Sequence, residues 1–398
     1  MQRIKMSERV NYIGVNDRRL ALFENMWPLP KGVSYNSYMI DDDKVVLIDT
    51  VERSKIEEFI ENIKSVIGDR VVDYLIVNHM EPDHSGGIAA LVREYPDMKI
   101  VGNAKTFEML KQFYFLESNL HEVKDGELLD LGYHKLRFYT APMVHWPETM
   151  LTYDETEKIL FSSDAFGSFG AINGALFDDE IDLSYYENEM RRYYSNIVGK
   201  YGAMVQKALK KLSDVEIKMV APAHGPVWRS NLGYLLEKYN KWSRYDTEEG
   251  VVIVYGTMYG NTEKMADIIA RELVEQGIKN VKVYDASKTH MSYIISDLFK
   301  YKGFIVGSCA YNTAMFPTVE HLLKEIELFG VKKHLLGIFG SYAWSGGGVK
   351  NLQKFAENIK WEMVHEPNEF KGALKEEDGN EAKEIARAMA DKLKSLRA

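Results

Sequence analysis

Beyond residue 250 the chain alternates short apolar runs with helical stretches at regular spacing, a rhythm that few folds accommodate. Strand-like runs at 251–255, 281–285, 304–307 and 335–339 have between or after them helical stretches at 263–276, 318–328 and 349–359. A parallel strand pair needs a crossover of a dozen or so residues, usually a helix, so this order predicts a doubly wound parallel sheet. A last helix over 381–396 is expected to pack on it. Before residue 243 the pattern differs. Short β-rich runs at 45–48, 74–77, 99–101, 136–139, 159–161 and 218–220 are interspersed with helical stretches at 55–67 and 188–212, which predicts an α/β sandwich with both sheets covered. The polar segment 243–250, SRYDTEEG, sits where a linker would. With 398 residues the chain exceeds the size at which one core stops growing. Two domains follow, 1–245 and 250–398.

Composition excludes several classes. A net charge of −9 argues against nucleic acid or an anionic membrane as the main partner. No apolar run approaches the roughly 18 residues of a membrane span. The opening MQRIKMSERV has basic residues without an apolar stretch behind them, so no signal peptide is expected and the cytoplasm is the default location. Cys309 is the single cysteine, which excludes an internal disulfide, a Cys-rich zinc site and a four-thiolate iron centre within this chain.

Chemistry concentrates at 79–84, where His79-Met80-Glu81-Pro82-Asp83-His84 follows an apolar run and Gly86 and Gly87 follow in turn. Four of these six residues offer metal-ligand atoms, and burying them unpaired would be costly. Three other apolar runs lead to His145, Asp164 and His224. Strand carboxyl ends are where α/β proteins place their sites, so the four segments can converge. His121, His134, His290, His321, His334 and His365 lack this context and are read as structural or surface residues. Four His with three carboxylates and open positions suit iron better than tetrahedral zinc.

A second constellation follows the run 251–255. Gly256-Thr257-Met258-Tyr259-Gly260-Asn261-Thr262 leads into a helix, a cradle of amides and hydroxyls for a phosphate. It lacks the Gly-Lys-Ser/Thr of a P-loop and the three spaced glycines of a dinucleotide fingerprint. Two more loops follow strands: Ser308-Cys309-Ala310-Tyr311-Asn312-Thr313 and Gly340-Ser341-Tyr342-Ala343-Trp344-Ser345-Gly346-Gly347-Gly348. Their polar atoms and aromatic rings suit an isoalloxazine.

The motif His79-x-Glu81-x-Asp83-His84 with His145, Asp164 and His224 resembles the metallo-β-lactamase superfamily, with Glu81 where its hydrolases usually carry His. In that form, and with the three later loops similar to flavodoxin, the whole chain resembles the flavodiiron proteins. The resemblance implies a metallo-β-lactamase-like αββα sandwich with two irons, joined to a flavodoxin-like domain with FMN. It puts His79, Glu81 and His145 on one iron, Asp83, His84 and His224 on the other, and Asp164 between them. It also implies reduction of O2 to water, or of NO to N2O, with electrons relayed through FMN. Trp146 and Tyr193 are candidates for the pocket around the irons. A head-to-tail homodimer, or a dimer of dimers, would bring FMN of one chain to the irons of the other. The donor must be external, a rubredoxin or a reduced deazaflavin. The competing readings are a zinc hydrolase with a flavodoxin appendage and a gas or redox sensor that never turns over.

Overall fold

A computed structural model describes residues 4–396. The chain divides into two compact units, the first ending at Ser243 and the second beginning at Arg244.

In the first unit two sheets face each other. One runs Ile4–Lys5, Val10–Tyr12, Tyr38–Asp41, Val45–Ile48, Tyr74–Ile76, Lys99–Gly102, Leu120–Glu122. The other runs Leu128–Asp130, Lys135–Thr140, Met150–Asp154, Ile159–Phe161, Met219–Ala221. Side chains alternate along a strand, so Tyr38 and Ile40, Val46 and Ile48 meet Leu136, Phe138, Met150 and Phe161 in one core between the sheets. Val45 and Leu47, on the opposite face, are equally buried. Strands covered on both faces need outer layers, and helices such as Ile56–Ile67, which buries Phe59, Ile63 and Ile67, supply the apolar faces for them. Asn62 of that helix ties it to the chain by donating to the carbonyls of Ile13 and Gly14 at 3.2 Å.

The single helix expected over 188–212 is interrupted. An α-helix at Leu183–Tyr193 widens into a π-helical turn at Tyr194–Val198, tightens at Gly199–Tyr201 and resumes at Gly202–Lys211. The widened turn buries all five of its residues. Gly202 restarts the helix where a Cβ would lie 2.5 Å from the Ser243 carbonyl oxygen, so only glycine permits the approach.

The second unit is one parallel sheet. Its strands run Val281–Asp285, Glu248–Gly256, Tyr301–Cys309, Leu335–Tyr342, and the edge is shared by Glu362–Met363 and Asn368–Lys371. In chain order this is 2-1-3-4-5, the doubly wound arrangement whose ligand site falls where the order reverses. The first strand starts inside the segment 243–250 that the sequence marks as linker: Glu248 already pairs with Tyr301, with a register shift before Val251. Backbone pairing needs no apolar side chain, so polarity hid it. The helix Met291–Leu298 escaped the sequence pattern because its 8 residues make little more than two turns, too few repeats to mark a period. The last helix begins at Glu376, ahead of the expected 381, where Lys375 N donates to Asp378 at 2.9 Å and closes a cap.

Phe161 lies in the inter-sheet core with its ring centroid 5.2 Å from that of Tyr38. Phe161→Ala is expected to destabilise the first unit by about 3–5 kcal/mol, read as a lower denaturation midpoint.

Candidate functional site

Each candidate ligand stands just past a strand of the first unit. His79 follows Tyr74–Ile76, and Glu81, Asp83 and His84 belong to the turn and short helix Pro82–Ser85. His145, Asp164 and His224 come after Lys135–Thr140, Ile159–Phe161 and Met219–Ala221. The loops are bent to deliver them. Met143, Ser163 and Phe166 hold left-handed φ values of 64°, 52° and 70°, a conformation that costs a non-glycine residue energy and concentrates at functional sites. Gly225, beside His224, has φ 77° and leaves no room for a Cβ, which would lie 2.8 Å from Ser168 Cβ.

The seven residues form two abutting groups. In the first, His145 Nε2 is 2.9 Å from Glu81 Oε2 and 3.1 Å from Asp164 Oδ2, and His79 Nε2 is 3.2 and 3.3 Å from the same two oxygens. In the second, His84 Nε2 lies 3.0 Å from Asp164 Oδ1 and 3.4 Å from Asp83 Oδ2. His224 Nε2 lies 3.5 and 3.3 Å from these. One oxygen of Asp164 therefore faces each group. Donors about 2.1 Å from a metal and at right angles are about 3.0 Å apart, and the separations here cluster near that value. Asp83 Oδ2, Asp164 Oδ2 and His224 Nε2 are buried without a hydrogen-bond partner despite these short distances. The ligand atoms of each group lie within 4.8 Å of one another, close enough for one ion per group. Two metal ions would satisfy them.

Charge leads to the same conclusion. Burial opposes ionisation of Asp164, yet the surrounding imidazoles, His84 foremost, hold its carboxyl well below the usual range. Burial likewise opposes charging His84, and Asp83 and Asp164 overcome it, pushing the imidazole up to about 9. His145 reaches about 9 against burial through Asp164 and Glu81. A buried carboxylate cluster that recruits protons this strongly is one that a dication neutralises.

Residues outside the sequence motif orient the ligands. Glu148 Oε1 accepts from the Met80 N–H at 2.9 Å and lies 2.7 Å from His79 Nδ1, which leaves Nε2 free to bind. His224 Nδ1 donates to the Ser34 carbonyl at 2.7 Å, and Ser34 Oγ accepts from Gly225 N at 2.8 Å. His84 Nδ1 has no such partner. Glu24, raised by burial and then by the neighbouring Glu81, stands beside the first group. Glu148 lies three residues past His145, a proximity that could have flagged it; Ser34 and Glu24 carry no local signal.

Both aromatic candidates flank the site. The Trp146 ring meets His79 edge-on at 5.1 Å, and Tyr193 is 5.4 Å from the His224 ring. Burial, then the Asp164, Asp83 and Glu81 carboxylates, hold the Tyr193 phenol well above its usual range, so it stays a proton donor. Phe23 and Phe169 pack against Tyr193 and help to seal this side from water.

In the second unit a cavity of about 340 Å³ opens at the strand carboxyl ends. Its wall takes in Thr257, Met258, Tyr259, Asn261, Cys309, Ala310, Asn312, Thr313, Ser341, Tyr342, Ala343, Trp344 and Ser345, together with Gly372, which the sequence did not single out. Gly260, Thr262, Ser308, Tyr311 and Gly346 are not part of that wall. Gly260 instead opens the helix Asn261–Glu275 at φ 88°, and Thr262 Oγ1 bonds Ser341 Oγ at 2.9 Å, locking two loops together. Ser308 Oγ accepts from Phe316 N at 2.8 Å, Tyr311 packs on Phe316, and Gly346 adjoins Glu369. The helix has no side-chain cap, so its first amides remain available to an anion. Tyr259 and Trp344, 92% and 88% exposed, leave their rings free at the rim to stack on a planar group. A phosphate cradle with aromatic rims fits FMN.

These features define a class: a β-lactamase-type sandwich with a two-metal centre, joined to a flavodoxin unit. Residues 33–225 match the family described as ODP family beta lactamase, and residues 253–388 match flavodoxin. The anaerobic nitric oxide reductase flavorubredoxin of Aliivibrio fischeri is 36% identical over 356 residues, 88% of this chain and 71% of the relative. An uncharacterized protein of Methanocaldococcus jannaschii is 34% identical over 98% of both chains. Among solved structures, rubredoxin oxygen:oxidoreductase from Desulfovibrio gigas superposes with a TM-score of 0.96 at 30% identity, covering 100% of both chains. The flavodiiron protein from Giardia intestinalis gives 0.95 at 27%, covering 99% of this chain and 97% of that one. The chain belongs to the flavodiiron protein family.

Glu148→Gln keeps the size of the side chain but removes the charge that sets the His79 tautomer. It is expected to weaken metal retention about 10–100-fold, measured as iron lost to a competing chelator with FMN content unchanged.

Proposed function

We propose that this protein is a flavodiiron oxidoreductase that reduces NO to N2O, O2 to water, or both, with electrons relayed through FMN from an external donor. The observation that carries the reading is the Asp164 carboxylate, whose two oxygens face two separate His-and-carboxylate groups. In this reading His79, Glu81 and His145 would hold one iron and Asp83, His84 and His224 the other, with Asp164 offering one oxygen to each. When bound, two ferrous irons and a reduced flavin supply up to four electrons, which matches O2 to two waters and exceeds the two that a pair of NO molecules requires. Glu148 and the Ser34 carbonyl keep the imidazole rings turned inward. The neutral Tyr193 phenol offers a proton or hydrogen bond to a small oxygen-bearing molecule, and the surrounding aromatic rings exclude bulk water.

The partners follow from the same reading. A rubredoxin or a reduced deazaflavin serves as donor, and a head-to-tail homodimer, alone or paired into a tetramer, brings each flavin to the iron centre of a second copy. Among the described residues no helix is long and apolar enough to cross a membrane, and the cytoplasm is the proposed location.

An anaerobic assay with a reduced donor, following NO and O2 consumption separately on samples with iron and flavin quantified, tests the activity. Steady turnover of either gas at two irons and one FMN per chain is expected. Zinc in place of iron with thioester hydrolysis, or gas binding without turnover, would overturn the reading. Tyr193→Phe should lower kcat about tenfold, the value of one good hydrogen bond of roughly 1.4 kcal/mol, with iron and FMN content unchanged. Light scattering tests the assembly: a monomer with full turnover would rule out the exchange between copies.

A further inference from the structure

A third cluster of ligand atoms lies at the other end of the second sheet. The strands that end near His145 and Asp164 begin or return at His134 and Asp154, since Leu136 pairs with Asp154 and Asp154 with Ile159. Six residues of strand, about 20 Å, separate the two ends. His134 closes the turn before Lys135–Thr140, with the Leu131 amide donating to its carbonyl at 3.0 Å. Asp154 ends Met150–Asp154, and Glu157 sits in the hairpin loop beyond it.

Asp42 sets the His134 tautomer. Its Oδ2 accepts from the backbone amides of His134 and Tyr133 at 2.6 and 3.0 Å and lies 3.0 Å from His134 Nδ1. Its Oδ1 accepts from Arg9 Nη1 at 2.7 Å, which balances its charge. With Nδ1 turned to Asp42, Nε2 faces Asp154 and Glu157, the carboxylate–histidine arrangement found behind metal ligands. Nε2 is buried with no hydrogen-bond partner, and so is Asp154 Oδ2. Both residues are fully buried. Nε2 is 3.7 Å from Asp154 Oδ2 and 3.6 Å from Glu157 Oε1. Those separations exceed the roughly 2.7–3.2 Å of a hydrogen bond. They fall within a few tenths of the edge of a tetrahedral site, about 3.4 Å for ligands about 2.1 Å from the ion. Two carboxylates also face one imidazole here, a charge pattern that a dication would balance.

We propose that His134, Asp154 and Glu157 bind a divalent cation of the zinc class, with water completing its shell. Through Asp42, which follows the strand Tyr38–Asp41, the site ties the first sheet to the turns of the second. It is a structural pin at the end of the sandwich opposite the redox centre, and it stands independently of the function proposed above.

The test uses the full-length protein loaded with iron and FMN and dialysed free of other metals. Cobalt(II) is titrated in and followed by its visible absorption, then displaced with zinc, with iron measured throughout. One cobalt per chain beyond the iron is expected, with a raised melting temperature. Glu157→Gln, at a partly exposed loop position that spares the fold, should weaken cobalt binding at least tenfold while iron, FMN and gas turnover stay unchanged. Asp154→Asn should abolish it. The proposal is overturned if no cobalt binds beyond the iron, if cobalt enters only as iron leaves, or if Glu157→Gln binds cobalt as the parent does.

Discussion

The first unit is organised around a buried charge that no protein group can neutralise alone. Asp164 is wholly buried and each of its oxygens faces a different His-and-carboxylate group. Leaving such a carboxylate uncompensated costs several kcal/mol or more, so the fold must bring imidazoles to it from three other strand ends. Its flanking residues Ser163 and Phe166 carry the left-handed backbone that aims it. The positions of His79, His145 and His224 are meaningful only with respect to this one side chain.

Two sheets packed face to face make that convergence possible. The apolar core between them fixes the relative height of Tyr74–Ile76 in one sheet and Ile159–Phe161 in the other, so loops from different sheets meet at the same rim. Around the rim, carbonyls and carboxylates outside the motif turn each imidazole: Glu148 for His79 and the Ser34 carbonyl for His224. The second unit solves a simpler problem. Its cavity forms at the carboxyl ends of parallel strands, where successive loops stand side by side by virtue of the strand order. Its cradle needs hydroxyls, amides and a helix end, and no buried charge.

Seen from these two sites, the chain's regularities and irregularities have different origins. The helix Met291–Leu298 and the start of the strand at Glu248 were invisible to patterning because one makes little more than two turns and the other pairs through backbone alone. Past the break at Tyr194–Val198 the helix resumes at Gly202, beside the Ser243 carbonyl, a close approach that no local preference announces. His134 illustrates the same limit at a site. Its sequence neighbours mark it as an ordinary turn residue, and its chemical interest comes from Asp42, 92 positions away.

The amino-acid sequence by itself determined the two α/β architectures, the seven residues of the His/carboxylate motif and most of the wall of the flavin cavity. Periodicity records which face of an element is buried, and residue type records what chemistry it can do. Only the tertiary structure decided which oxygen of Asp164 faces which group, that Glu148, Ser34 and Glu24 belong beside them, and that Gly260, Thr262, Ser308, Tyr311 and Gly346 shape their loops without lining the cavity. Those are relations between residues distant along the chain, set by sheet register and backbone strain, and a one-dimensional pattern does not contain them.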